Sequence, residues 1–165
     1  MNLYPINSVS IWLLIQLCLL SLSSKGQHMP FKGANVILIT TDLADKESYI
    51  AIAQVLSEES ISYAASNNML LIQSTDQSFN GKKDIVFDGQ LSVSAGLVTL
   101  TGMMRNKNES AQSQPIATTV PIAYNKAKSS IQQIGFTYMN DLAQKLQRVL
   151  HGVISYKLQA VAKYQ

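Results

Sequence analysis

The alternation of apolar and polar positions in residues 36–58 predicts a strand followed by an amphipathic helix. Residues 36–41, VILITT, form a short β-branched apolar run that is typical of a buried strand. Apolar side chains then recur at the spacing of one helix face: Tyr49, Ile52, Ala53 and Leu56. Between the two elements, Asp42 or Asp45 is placed to cap the helix, because a carboxylate accepts hydrogen bonds from free first-turn N–H groups.

A strand that leads into a helix can also begin a phosphate-binding site. Such a site needs glycines between the two elements, so that backbone N–H groups can approach the phosphate. The connection TTDLADKE contains no glycine and places two carboxylates where an anion would lie. We therefore interpret this segment as the start of the fold and not as a ligand site.

The stretch ISYAASNNMLLIQST, residues 61–75, predicts a β-hairpin. Asn67 and Asn68 can form a two-residue turn, because asparagine tolerates positive φ better than most residues. Pairing across this turn sets two pairs of apolar residues opposite each other on one face: Ala65 with Leu70 and Tyr63 with Ile72. The alternation agrees with the position of the turn, so we expect this register.

A second, longer hairpin is predicted around Ala95-Gly96. Apolar residues recur on one face on both sides of that turn and pair across it: Val93 with Val98, Leu91 with Leu100, and Phe87 with Met104. In this register Gly89 lies opposite Gly102. Two facing glycines indicate either a bend or bulge, or a place where another element comes close.

The last third of the chain predicts an edge strand and a helix. IATTVPIAY is a strand candidate, and Pro121 places it at an edge because proline cannot donate to a sheet ladder. One apolar stripe marks the helix: Met139, Leu142, Ala143, Leu146, Val149, Leu150 and Val153. Gly152 can mark its end. Because Ile154, Leu158 and Val161 keep helical spacing, residues 153–165 are predicted to be a helical or frayed tail.

The predicted element order is β-α-β-β-β-β-β-α. This order indicates an α+β fold, with a curved antiparallel sheet of about five to six strands and both helices packed on one face. One domain is predicted for residues 33–152. We expect its core to bury a set of residues from both hairpin strands and the last helix: Phe87, Leu91, Val93, Val98, Leu100, Leu142 and Leu146.

The N-terminal residues predict a signal peptide spanning residues 1–26. No charged side chain occurs between Met1 and Ser24, and SIWLLIQLCLLSL has the length of a signal-peptide apolar region. Cleavage is expected after Gly26 or, alternatively, after Ser23. An uncleaved anchor or a buried helix are the competing interpretations. The mature protein is expected to be secreted or periplasmic.

Composition limits the chemistry that the mature chain can support. Of 165 residues, 47% are hydrophobic and 14% charged, and the formal charge of +3 gives no indication of nucleic-acid binding. Cys18, the only cysteine, lies in the apolar leader and follows Leu17, whereas a lipoprotein signal needs a small residue there. With that cysteine removed and two histidines in the chain, neither the usual zinc site nor a Cys–His pair can be built.

The remaining candidates for catalysis are weak. A Ser-His-Asp triad through His151 lacks the G-x-S-x-G nucleophile motif. A cation at the end of the last helix is the plainer interpretation of His151. Asp84 and Asp88 could point together from one strand face, either as solvated side chains or as a paired acid and base or a cation site. We therefore assign no catalytic, cofactor-binding or metal-binding residue.

Residues 32–151 resemble small uncharacterised secreted proteins of Gram-negative bacterial envelopes. The resemblance is carried by the strand–helix–hairpin spacing from Lys32 to Thr75 and by an F-x-x-M-x-x-L-A pattern in the final helix: Phe136, Met139, Leu142 and Ala143. It implies a domain with helices over a curved sheet, similar to those of outer-envelope assembly factors. No catalytic motif follows from it.

These observations predict an exported, non-enzymatic binding or assembly module of the cell envelope. Its partner is expected to be an envelope protein that binds the open sheet face or the Pro121 edge, or an apolar ligand held between the curved sheet and the last helix. The alternative is a small hydrolase that depends on a carboxylate or on His151. The C-terminal segment could dock a partner or contact a membrane surface peripherally, because it combines apolar residues with lysines and no acid. The candidate partner-binding residues are Ile154, Tyr156, Lys157, Leu158, Val161 and Lys163.

Overall fold

The computed structural model describes residues 28–66, 69–74, 85–106, 120–127 and 129–160. Its elements, in chain order, are β1 (Val36–Thr40), α1 (Asp45–Glu58), β2 (Ser62–Ser66), β3 (Met69–Gln73), β4 (Ile85–Ser94), β5 (Leu97–Asn106), β6 (Val120–Pro121), α2 (Ile131–Leu150) and β7 (Val153–Lys157). The predicted leader, Asp84, Val161 and Lys163 lie outside the described residues.

The strands form one antiparallel sheet in the order β2-β3-β4-β5-β1-β7, and the short β6 pairs with β5 beside β1. Helices α1 and α2 pack against each other and against the same side of this sheet. The predicted α+β class is therefore confirmed. Over the described residues the sheet has seven strands, one more than the pattern predicted.

Both predicted hairpin registers are confirmed. Ala65 pairs with Leu70 in the first hairpin, and Gly89 pairs with Gly102 in the second. The second register continues without interruption from the turn to Ile85, so the facing glycines mark no bulge. A side chain on either glycine would place its Cβ 2.6 Å from the Phe87 ring. A close approach is therefore confirmed, by the Phe87 ring of β4 itself and, beside Gly89, by Ile72 of β3, whereas a bend stays a prediction.

The helix-side face of the sheet supplies the core. All seven residues predicted for the core are buried in one cluster: Phe87, Leu91, Val93, Val98, Leu100, Leu142 and Leu146. The ring of Phe87 lies over the two glycines, and the ring of Tyr138 from α2 contacts it with centroids 4.8 Å apart. This ring contact joins α2 to β4, and α2 also packs against β5.

The predicted helical or frayed tail is corrected by the structure over Val153–Lys157, which form strand β7 and pair with β1. Helix α2 ends at Leu150 because His151 adopts a left-handed conformation, with φ of 49°. Gly152 then packs so closely that a Cβ there would lie 2.7 Å from the Thr40 carbonyl oxygen. This turn directs the chain back along β1. Strand β7 then pairs with the edge of β1 that faces away from β5.

The predicted aspartate cap of α1 is also corrected. The N-cap residue is Ala44, and it makes no side-chain cap hydrogen bond. Asp45 lies in the first turn, where its carboxylate accepts hydrogen bonds from the backbone N–H groups of Ala95 and Gly96 at 3.1 and 3.0 Å. The carboxylate thus ties the helix to the β4–β5 turn, a contact between residues about fifty positions apart.

Candidate functional site

An open groove of about 830 Å³ crosses the sheet face opposite the helices. We refer to it as the sheet-face groove. Its floor comes from side chains of β3, β4 and β5 that point away from the core: Leu71, Gln73, Asp88, Gln90, Thr101 and Met103. Ser62 and Ala64 of β2 line one end, and Asn35, Pro121, Gln159 and Ala160 line the region where β1, β6 and the chain after β7 meet.

Strand alternation explains why these side chains share a face. Along β4, Phe87 and Leu91 point into the core, so Asp88 and Gln90 between them point the other way. The antiparallel partners follow the same rule, because directly paired residues lie on the same side of a sheet. The groove is therefore a consequence of the same registers that build the core.

Two large apolar side chains are exposed on the floor of the groove. Leu71 retains 43% of its accessible surface and Met103 retains 46%. Leu97 and Val153 are also exposed and lie further along the same face, next to Thr40 of β1. No helix of the described residues covers this face, and a face with several exposed apolar side chains is a feature of interaction sites.

A polar cluster borders these apolar residues. The Arg105 Nε donates to Asp88 Oδ2 at 2.5 Å, and the Gln73 amide donates to Asp88 Oδ1 at 2.8 Å. Gln73 and Asp88 are direct cross-strand partners. Each carboxylate oxygen accepts one hydrogen bond, so Asp88 links the Gln73 side chain of β3 to the Arg105 side chain of β5 across β4. About a third of each charged side chain is exposed, so the ion pair adds little to stability.

The chain after β7 is fixed at the rim of the groove by two reciprocal hydrogen bonds. The side-chain amide of Asn35 donates to the Gln159 carbonyl at 2.8 Å, and the Gln159 N–H donates to the Asn35 side-chain oxygen at 2.7 Å. The asparagine side chain thus bonds the backbone of Gln159 as a strand partner would. Its role is to hold Gln159 and Ala160 where they line the groove.

The six candidate partner-binding residues do not form one surface. Ile154 and Tyr156 are 8% and 6% exposed and belong to the core. The Tyr156 hydroxyl donates to Asn140 Oδ1 at 2.6 Å, and burial raises the pKa of this hydroxyl. Lys157 and Leu158 are exposed, whereas Val161 and Lys163 lie outside the described residues. The helical stripe on which the prediction depended is absent from Val153–Lys157, because a strand alternates its side chains.

The described residues that were considered for hydrolysis, Asp88 and His151, do not form one site either. Asp88 lines the groove, but His151 ends α2 and is not part of the groove lining. In the ranges that the structure covers, no cluster of three or more histidine, cysteine, aspartate or glutamate side chains could hold a metal ion. Within the same ranges, no helix has the length and apolar character needed to cross a membrane.

Sequence reasoning named the open sheet face as a partner surface but did not identify the residues that form the floor of the groove, although a signal was present. Leu71 and Met103 are large apolar residues that lie next to polar residues of the same face, Gln73 and Gln90 in one case and Asp88 and Thr101 in the other. Apolar residues that break a core-in, polar-out alternation indicate a surface that is covered by something else. Their joint position became visible only once β3 and β5 were placed on either side of β4.

Comparison with known proteins adds no family to this description. No protein-family model matches the chain, and none of the curated proteins matches it.

Proposed function

We propose that this chain is an exported, non-enzymatic binding or assembly module of the bacterial cell envelope, and that the sheet-face groove receives its partner. The observation that carries the proposal is the groove itself: about 830 Å³ of open space on the sheet face opposite α1 and α2, with Leu71 and Met103 exposed on its floor. Burying those side chains against a partner supplies a hydrophobic driving force for association.

The preferred partner is an apolar segment of an envelope protein. The groove is open along the sheet face and not enclosed, which suits a chain lying across it better than a sequestered small molecule. Gln73, Gln90 and Thr101 stand beside the apolar floor and can donate or accept hydrogen bonds that orient such a segment. A small apolar ligand is the second candidate, since the volume is within the usual range for ligand sites.

The alternative of a hydrolase receives less support from the same residues. Asp88 is the one carboxylate that lines the described part of the groove, and both of its oxygens are engaged by Arg105 and Gln73. A general base must reach the proton that it removes, and both Asp88 oxygens are oriented toward side-chain donors of the protein instead. We therefore place binding ahead of catalysis.

The export part of the proposal depends on the leader sequence and on the resemblance to secreted envelope proteins. Its test is the intact mass of the protein recovered from the envelope fraction or from the medium. A mature N-terminus between Ser24 and Met29 is the expected result. A mass that retains Met1–Ser23, or a lipid on Cys18, would contradict it.

Site-specific photo-crosslinking in the native envelope tests the groove. A photoreactive amino acid at Leu71 or Met103 is expected to capture a defined partner, identified by mass spectrometry. The matched control is the same amino acid at Ile50, an exposed apolar residue of α1 that lies outside the groove. Equal capture from Ile50, or no capture from either groove position, would contradict the proposal, whereas a captured lipid would favour the apolar ligand.

A further inference from the structure

Strand β2 forms one edge of the sheet and pairs only with β3 within the described residues. All five of its residues are exposed, and SYAAS contains neither a charged residue nor a proline. Exposed edge strands present unpaired backbone N–H and C=O groups, and proteins normally protect them with lysine, proline, bulges or a covering element. None of these protections is found on the described residues of this edge.

The opposite edge, β7, is protected in two ways. It carries Lys157, and the Nδ1 of His28 lies 3.3 Å from the Ile154 carbonyl oxygen, within hydrogen-bonding distance. The β7 edge of the sheet therefore carries protection against pairing with another strand that the described residues of the β2 edge lack. Pairing of β2 with β7 of another molecule would meet these obstacles, whereas pairing of β2 with another β2 would not.

The side chains of β2 are complementary to those of the same strand running antiparallel. With a two-fold axis through Ala64, Tyr63 of one copy lies opposite Ala65 of the other, and Ser62 lies opposite Ser66. Each large ring thus faces a small methyl group on the helix side, and only small side chains meet on the groove side. Because an antiparallel pair keeps directly opposed residues on the same face, this register also keeps both pairs of helices on one side.

We infer that two copies of this chain associate through β2, antiparallel about Ala64, so that their sheets join into one continuous sheet. The contact is isologous and closes on itself, because each copy uses its unprotected edge once. Backbone hydrogen bonds supply the attraction, and the absence of charge on β2 avoids repulsion between two copies of a chain with formal charge +3. The inference does not depend on the proposed binding role.

The association also affects the sheet-face groove. Ser62 and Ala64 line the end of the groove nearest to β2. In the pair, this end of one groove adjoins the same end of the other across the two-fold axis. The joined sheet then presents one longer groove.

Analytical ultracentrifugation of the chain as the host processes it tests the inference. The expected result is a concentration-dependent dimer that Ala64→Lys weakens by at least about tenfold, because like charges then meet at the axis. Val153→Lys adds the same charge to the exposed edge strand on the far side of the sheet and is expected to leave the dimer intact. An equal mixture of the Ala64→Lys and Ala64→Glu variants is expected to restore it. Circular dichroism confirms that each variant is folded.

Cysteine crosslinking tests the register without relying on a charged variant. In a Cys18→Ser background, Ala64→Cys is expected to form an intermolecular disulfide rapidly, because the two side chains face each other at the axis. Tyr63→Cys is expected to crosslink much more slowly, since it faces Ala65 of the other copy. A wild-type chain that stays monomeric at the highest concentration, a dimer indifferent to Ala64→Lys, or equal crosslinking of both variants would overturn the inference.

Discussion

At the scale of single residues, tertiary neighbours change what a side chain does. Tyr138 shows this most clearly, because its place on α2 brings its ring onto Phe87 and its hydroxyl into a poorly solvated position near Glu59. Burial first, and the negative charge of Glu59 second, raise the pKa of Tyr138 to about 12 from its ordinary value of 10.0. The sequence context of Tyr138 contains no sign of this shift.

The raised pKa predicts a loss of stability at alkaline pH. Between pH 10 and about 12 the unfolded chain releases the Tyr138 proton while the folded chain retains it, so stability is fully present below pH 10 and falls as the pH rises to about 12. The loss is at most about 2.7 kcal/mol, and less because the residue retains some solvent contact. Tyr138→Phe is expected to flatten this part of the profile.

Chemical denaturation across this pH range measures the effect. Tyr63→Phe, at an exposed position of the sheet edge, is the matched control and should follow the wild type. An unchanged alkaline slope in Tyr138→Phe would show that the Tyr138 hydroxyl is not responsible.

At the scale of elements, the β4–β5 turn illustrates how local and distant interactions combine. Ala95 and Gly96 both have positive φ, 51° and 73°, which is the conformation of a type I′ hairpin turn. Alanine is poorly suited to this conformation, and the two hydrogen bonds from the turn to Asp45 help to hold it there. These tertiary hydrogen bonds thus offset the low preference of alanine for positive φ.

Two neighbouring substitutions in this turn should have opposite effects. Ala95→Gly is expected to raise the free energy of unfolding by about 0.5–1 kcal/mol, because glycine adopts positive φ without strain. Gly96→Ala is expected to lower it by more than about 1 kcal/mol, since the new Cβ would lie 2.6 Å from the Thr41 carbonyl oxygen. Thermal and chemical denaturation measure both variants. Changes of the same sign would refute the described turn geometry.

Strand β7 is the element whose removal should matter most. Deleting Val153–Gln165 exposes the edge of β1 and removes Ile154 and Tyr156 from the core, so we expect the domain to unfold or lose most of its stability. Ending the chain after Ala160 keeps β7 and is the matched control. Far-ultraviolet circular dichroism with denaturation distinguishes the two truncations. A stable domain without β7 would contradict the described sheet.

At the scale of the whole molecule, one face of the sheet packs against α1 and α2 to form the core, and the other keeps exposed apolar side chains. Leu142 is buried between α2 and the sheet, and Leu142→Ala is expected to cost about 2–5 kcal/mol of unfolding free energy. Leu158→Ala, at a position that is 59% exposed, should change it by less than about 0.5 kcal/mol. Chemical denaturation compares the two leucines, and equal losses would contradict the packing of α2.

Much of the fold followed from the sequence because its signals are local. Asn67-Asn68 and Ala95-Gly96 lie between alternating apolar runs, and in each case the turn position and the alternation specify the same register. The apolar stripe of α2 similarly identifies the buried side of the helix. Six strands, two helices and the seven predicted core residues could therefore be derived from neighbouring positions alone.

Only the tertiary structure decided the features that depend on distant residues. After Gly152, helical spacing relates Ile154, Leu158 and Val161, whereas strand alternation relates Ile154 and Tyr156. The segment forms a strand because it pairs with the edge of β1. Asp45 could have capped its own helix, but its carboxylate instead accepts hydrogen bonds from the N–H groups of the β4–β5 turn. The sheet-face groove arose from strands far apart in the chain. In each case the local sequence favoured no single structure. The strand or backbone group that folding brought close then determined which structure formed.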